Sequence, residues 1–128
     1  MAIRSVEDMD VYKRAYQLAM EVFWLSRSFP PAERYSLADQ LVRSSRSVAA
    51  NIREGFAKRE YDNVFFRHLV DALGSAEETQ TWLDFAKDCD YLDAEKHQTI
   101  IGEYREICSM LYTLRKNWAK RREKSVRE

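Results

Sequence analysis

Ile100-Ile101-Gly102-Glu103-Tyr104-Arg105-Glu106-Ile107-Cys108-Ser109-Met110-Leu111-Tyr112-Thr113-Leu114-Arg115-Lys116-Asn117-Trp118 carries a single apolar stripe. Ile100, Tyr104, Ile107, Leu111, Leu114 and Trp118 recur at spacings of four, three, four, three and four. That alternation keeps one side of a helix facing the same neighbours turn after turn, as a bundle seam requires. It predicts a helix from Ala94 to about Arg121, with Asp93 as its N-cap.

Three more segments repeat the pattern. Val11, Ala15, Leu18, Val22 and Leu25 form a stripe on a helix over Val6–Ser28, opened by the capping-box sequence Ser5-Val6-Glu7-Asp8. Beside it runs a second stripe, Tyr12, Tyr16, Ala19 and Phe23, so the apolar arc is wider than one seam needs. Phe29-Pro30-Pro31 ends this helix. Ser36-Leu37-Ala38-Asp39, a second capping-box sequence, opens the next, whose buried face reads Leu37, Leu41, Ser45, Val48, Ile52 and Phe56, with Gly55 near its end. Small residues crowd it, which suits a close neighbour. A third helix over Asn63–Asp88 turns Phe66, Leu69, Val70, Leu73, Ala76, Gln80 and Leu83 inward, and Gly74 suggests a close crossing. Tyr61, Phe65, Trp82 and Phe85 fall off that inner side.

Helices of roughly 20–28 residues span about 30–42 Å, and short connections make successive helices antiparallel. The fold expected is all-α, an antiparallel up-and-down four-helix bundle over 1–119, followed by a basic, frayed tail over 120–128. With three Gly and two Pro, the chain lacks the turn residues of an all-β fold.

Lys plus Arg and Asp plus Glu balance at 21 each, but they are segregated. Gln40–Glu60 holds Arg43, Arg46, Arg53, Lys58 and Arg59 against Glu54 and Glu60, a net +3. Asp71–Glu95 holds eight acids against Lys87, a net −7. Arg115–Glu128 holds seven basic residues against two acids, a net +5. No stretch approaches the ~20 apolar residues of a membrane span. No signal-peptide core opens the chain, so a cytoplasmic location is expected.

Catalytic, cofactor and metal sites are not predicted. A di-iron bundle needs Glu-x-x-His, but Phe65 and Ala94 stand three residues before His68 and His97. Cys108 lies eleven residues beyond His97, roughly 16 Å along one helix, too far to share a metal. Cys89 and Cys108 are too far apart for a disulfide. Phosphate loops and Gly-x-Ser-x-Gly elbows are absent. Two polar sets remain. Arg43, Arg46 and Arg53 share a face of the second helix and fit either phosphate or acids of the third helix. Asn51, with Glu78 and Gln80, fits a polar core pair that fixes helix register.

Gln40-Leu41-Val42-Arg43-Ser44-Ser45-Arg46-Ser47-Val48-Ala49-Ala50-Asn51-Ile52, followed by Glu54-Gly55, resembles the signature of the bacterial 23S ribosomal RNA intervening-sequence proteins. Asp10-Val11-Tyr12 with Ala15, Phe29-Pro30 with Glu33, Tyr35 and Leu37, and Glu78-Thr79-Gln80 through Tyr91-Leu92 are similar to other parts of that family. The resemblance spans roughly residues 8–118. It implies a barrel-shaped homopentamer. It also implies kinship with nucleic-acid-binding accessory proteins of diversity-generating retroelements, which are strongly basic where this chain is neutral.

Two functions follow as expectations. The first is a homo-oligomer that binds RNA or DNA through Arg43, Arg46, Arg53, Lys58 and Arg59, with Lys120, Arg121, Arg122 and Lys124 as a second set. The alternative is a scaffold for an unidentified protein, using the aromatic face and the acidic third helix. Tyr12, Tyr16, Phe23 and Trp24 are surplus to one core and are expected to line the contact between copies.

Overall fold

The computed structural model describes the backbone of residues 4–127 and the side chains of residues 4–120. Four helices follow one another: α1 (Asp10–Ser26), α2 (Leu37–Ala57), α3 (Asp62–Asp88) and α4 (Ala94–Arg127). Each packs on the next, and α4 closes on α1, giving an up-and-down bundle. α4 runs on past the Arg121 at which its periodicity places the end.

Local chemistry sets the boundaries. The Asp8 carboxylate accepts from the backbone amides of Arg4 at 3.0 Å and Ser5 at 3.1 Å, and these bonds hold its pKa below the usual carboxylate value. That box caps a 3₁₀ turn (Val6–Asp8) rather than α1. Met9 is extended, so α1 starts at Asp10. Ser36 makes no side-chain cap on α2; Glu33 Oε1 accepts from Leu37 N at 3.4 Å instead. Asp93 does cap α4, accepting from Lys96 N at 2.7 Å. Asp90 ends α3 at φ 63°, while Tyr91 N donates to Ala86 O at 2.9 Å.

Val11, Ala15, Leu18 and Val22 of α1 are buried with Leu41, Val48 and Ile52 of α2 and Ile100, Tyr104, Ile107 and Leu111 of α4. On α3 the buried stripe is Phe65, Leu69, Ala72, Ala76, Thr79, Leu83 and Ala86. Two expectations fail there. Val70 is exposed, and Phe65 is fully buried, edge-on to Trp118 at 4.7 Å. The cause is the small-residue side of α2. It pairs hydroxyls with α3, Ser44 with Thr79 at 2.8 Å and Ser47 with Ser75 at 2.9 Å, which rotates the helix away from the bulkier periodicity.

The close crossing also lies elsewhere than expected. Nothing comes within 4 Å of a Cβ built on Gly74, whereas one on Gly55 would meet His68 Cβ at 2.6 Å. Gly55→Ala is therefore expected to destabilise by about 1–3 kcal/mol through overpacking. Gly74→Ala should stabilise by about 0.5–1 kcal/mol through helix propensity. Urea midpoints of the two variants, moving in opposite directions, check the assignment.

Two ion pairs tie α1 to α4. Arg14 grips Glu106 with two bonds, at 2.6 and 2.9 Å, and Lys96 meets Glu21 at 2.6 Å. No helix of the described residues is long and apolar enough to cross a membrane.

Candidate functional site

The exposed side shared by α1 and α2 brings the predicted arginines and the predicted interface aromatics onto one surface. Tyr12, Tyr16, Ala19 and Met20 of α1 form a groove of about 350 Å³ with Arg46, Ala49, Ala50 and Arg53 of α2. The groove exists because Ala49 and Ala50 leave room where larger side chains would fill the seam. Trp24 is 62% exposed and Tyr16 55%. Phe23 is half-buried beneath them, its ring 5.0 Å from that of Trp24.

Each groove arginine sits over a ring. Arg46 Cζ lies 5.5 Å from the Phe23 centroid, and Arg53 Cζ lies 5.9 Å from that of Tyr12. Arg53 also donates to Tyr12 Oη and Glu7 Oε1, each at 3.3 Å. The Tyr12 bond and the Glu7 carboxylate raise its pKa further above the ordinary arginine value. Arg43 stands outside the groove, 3.8 Å from Asp39 on its own helix. The helix-two arginines thus make no described ion pair with α3; their acids come from the 3₁₀ turn and from α2.

Sequence reasoning missed Arg27, whose Cζ lies 5.6 Å from the Phe23 ring and 5.8 Å from the Trp24 ring. It also missed Arg34, stacked over Tyr35 at 5.6 Å. Arg27 was legible as the residue four after Phe23 and three after Trp24, which places all three on one flank.

The other basic residues lie at one end of the bundle. Lys58 Nζ meets Glu54 Oε1 at 3.0 Å, which keeps the Glu54 pKa low. Arg59 stacks on Phe56, Cζ to centroid 4.0 Å, and donates to Phe56 O at 3.0 Å. Lys120 is exposed. Arg121, Arg122 and Lys124 lie outside the described side chains.

The predicted polar core is rearranged. Asn51 Nδ2 donates to Ser47 O at 3.0 Å and Ser47 Oγ at 3.1 Å, and Asn51 Oδ1 lies 3.1 Å from His68 Nδ1. Ser47 and Ser75 hydroxyls meet at 2.9 Å, and those of Thr79 and Ser44 at 2.8 Å. Neither Glu78 nor Gln80 joins Asn51. Glu78 is exposed and accepts from Trp82 Nε1 at 3.0 Å, while Gln80 faces α4 and donates to Ala76 O at 3.3 Å. The α2–α3 seam is therefore a ladder of small hydroxyls with one amide–imidazole rung. Asn51→Ala removes that rung and should destabilise by about 1–3 kcal/mol. Thermal melts of Asn51→Ala beside the exposed control Ala57→Ser check this.

Among the described residues no group of three or more His, Cys, Asp or Glu could hold a metal. Both cysteines are free, and burial together with the Glu77 carboxylate pushes the Cys108 thiol up to about 11.

Fold and surface together define an all-α, up-and-down four-helix protein with an arginine–aromatic face. Residues 7–113 match the 23S rRNA-intervening sequence protein family, and the chain belongs to that family. It is also similar to the crystal structure of a protein of unknown function from the S23 ribosomal protein family of Bacteroides thetaiotaomicron VPI-5482. The identity is 26% and the TM-score 0.75, covering 83% of this chain and 98% of that one. Among curated proteins, none matches.

Proposed function

We propose that this protein is a non-enzymatic homo-oligomer whose α1–α2 face joins its copies and whose basic end binds nucleic-acid phosphate. The observation that carries the reading is the merging of arginines and aromatics on one exposed surface. Arginine, tyrosine, tryptophan and phenylalanine are enriched at contacts between proteins, and lysine is depleted. The groove follows that composition, with Arg46 and Arg53 among Tyr12, Tyr16, Phe23 and Trp24. Resemblance to the family supplies the number five. In a ring every bundle points the same way. Lys58 and Arg59 at the end of α2 and Lys120 late on α4 then repeat on one rim, because α2 and α4 run in the same direction. Arg46 and Arg53 pass from the phosphate set to the contact between copies, while Arg43 stays outside the groove beside Asp39.

The second reading is a protein scaffold without nucleic-acid binding. It is favoured by Lys58 and Arg59 being engaged already, with Glu54 and Phe56. A mobility-shift salt series with RNA and DNA oligonucleotides separates the two. Binding that weakens steeply with salt supports the first reading. Lys58→Gln with Lys120→Gln should then lower the log–log slope by about 0.7 per lost contact on a single strand. No binding at low salt sinks the phosphate function and leaves the scaffold.

A further inference from the structure

α3 carries a second exposed stripe. Val64, Asp71, Glu78 and Phe85 recur every seven residues, so they lie in one row down the helix, with two acids between two apolar ends. All four are exposed; Phe85, at 53%, packs on Trp82 with ring centroids 5.9 Å apart. This row lies on the α2 side of α3, since Trp82 and Phe85 border one groove with Leu37 and Gln40 of α2.

The row matches the α1–α2 face in charge and in spacing. Arg46 and Arg53 are also seven residues apart, so both pairs stand about 10.5 Å apart along their helices. Their levels agree as well. Arg46 and Glu78 lie within two residues of the Ser44–Thr79 hydrogen bond. Arg53 and Asp71 lie within three residues of the Asn51–His68 contact. Both pairs thus occupy the same stretch of the bundle axis. At the other end of each face an exposed aromatic remains, Trp24 on one and Phe85 on the other.

We propose that the partner of the α1–α2 face is the Asp71–Glu78 row on α3 of a second copy, Arg53 facing Asp71 and Arg46 facing Glu78. This rests on the reading that the α1–α2 face joins copies, and it names the surface received there. The contact is head-to-tail, because the two faces differ. It needs no shift along the axis, so it gives a ring rather than a rising helix. The two faces are neighbouring sides of a four-cornered bundle, at about 90° to each other, which closes after about four to five copies.

Two charge-reversed variants test it by sedimentation, with circular dichroism to check that each remains helical. One is Arg46→Glu with Arg53→Glu; the other is Asp71→Arg with Glu78→Arg. All four side chains are exposed, and circular dichroism checks that losing the Arg53–Glu7 and Trp82–Glu78 bonds leaves the helices intact. Each variant alone is expected to sediment as a single chain, near 15.2 kDa. Mixed in equal amounts, they should form species larger than either alone, because the reversed α2 face of one meets the reversed α3 row of the other; strict alternation closes only even-numbered rings, so the mixture need not regain the wild-type mass. If the α3 variant alone keeps the wild-type mass while the α2 variant does not, the α3 row is overturned and the α1–α2 contact stands. If the α2 variant also keeps that mass, both fall. Failure of the mixture to reassociate overturns the charge pairing.

Discussion

Tyr104→Phe is expected to stabilise the protein by about 1–3 kcal/mol at neutral pH and to flatten its loss of stability in alkali. Tyr104 is fully buried, and its hydroxyl makes no well-formed hydrogen bond, with only the Ser45 and Thr79 hydroxyls near it. The hydroxyls around it spend their single protons elsewhere, Ser45 Oγ on Val42 O at 3.0 Å and Thr79 Oγ1 on Ser75 O at 2.8 Å, so neither donates to Tyr104. A buried polar group without a partner keeps the whole penalty of leaving water. Burial, and next the carboxylates of Glu21 and Glu103, push the Tyr104 pKa well above its ordinary value. Above about pH 10 the unfolded chain releases this proton while the folded chain retains it. The unfolded state then binds fewer protons, so stability falls as pH rises, by about 1.4 kcal/mol per unit for this group. Cys108, pushed up to about 11, adds a slope of the same sign and similar size between about pH 9 and 11, and that slope persists in the variant. Urea midpoints at pH 7, 10 and 11 read both effects. A variant that is less stable at pH 7 and keeps the wild-type alkaline slope would mean that the hydroxyl is bonded.

Tyr16→Glu and Trp24→Glu should each break the assembly into smaller species with little loss of helix. Both side chains are more than half exposed in the single chain, so the fold does not rest on them. In an assembled contact each would put a carboxylate into an apolar setting, where a desolvated charge costs several kcal/mol. That penalty is repeated at every contact of a ring. Phe23→Glu is the weaker test. Phe23 is half-buried beneath Arg27 and Arg46, so its replacement disturbs the bundle as well. Sedimentation and circular dichroism on one sample separate assembly from folding. Unchanged mass in both variants would move the contact to another face.

The sequence carries most of the fold. The alternating four-three spacing of α4 and the double stripe of α1 define four antiparallel helices, because a helical period acts locally and needs no knowledge of neighbours. α3 was harder. Phe65, Phe66, Leu69, Val70 and Leu73 offer two overlapping apolar faces, and the choice between them is made by the small side chains of α2 across the seam. Asn51 was legible as a half-buried amide, but its partner was not. His68 lies seventeen residues away on the next helix, and only the helix register decides that it, rather than Gln80, stands opposite. The arginines and the aromatics were each legible from their own helix. That they form one surface depends on how α1 packs on α2.

Contact between copies through the α1–α2 face, as proposed, fixes the mass of this protein in solution. The mass of the wild-type protein in solution at micromolar concentration tests it most directly, by light scattering or sedimentation equilibrium. A discrete species of several chains is expected, about five times 15.2 kDa by resemblance to the family, unchanged on moderate dilution. A single species at 15.2 kDa across that range would contradict it.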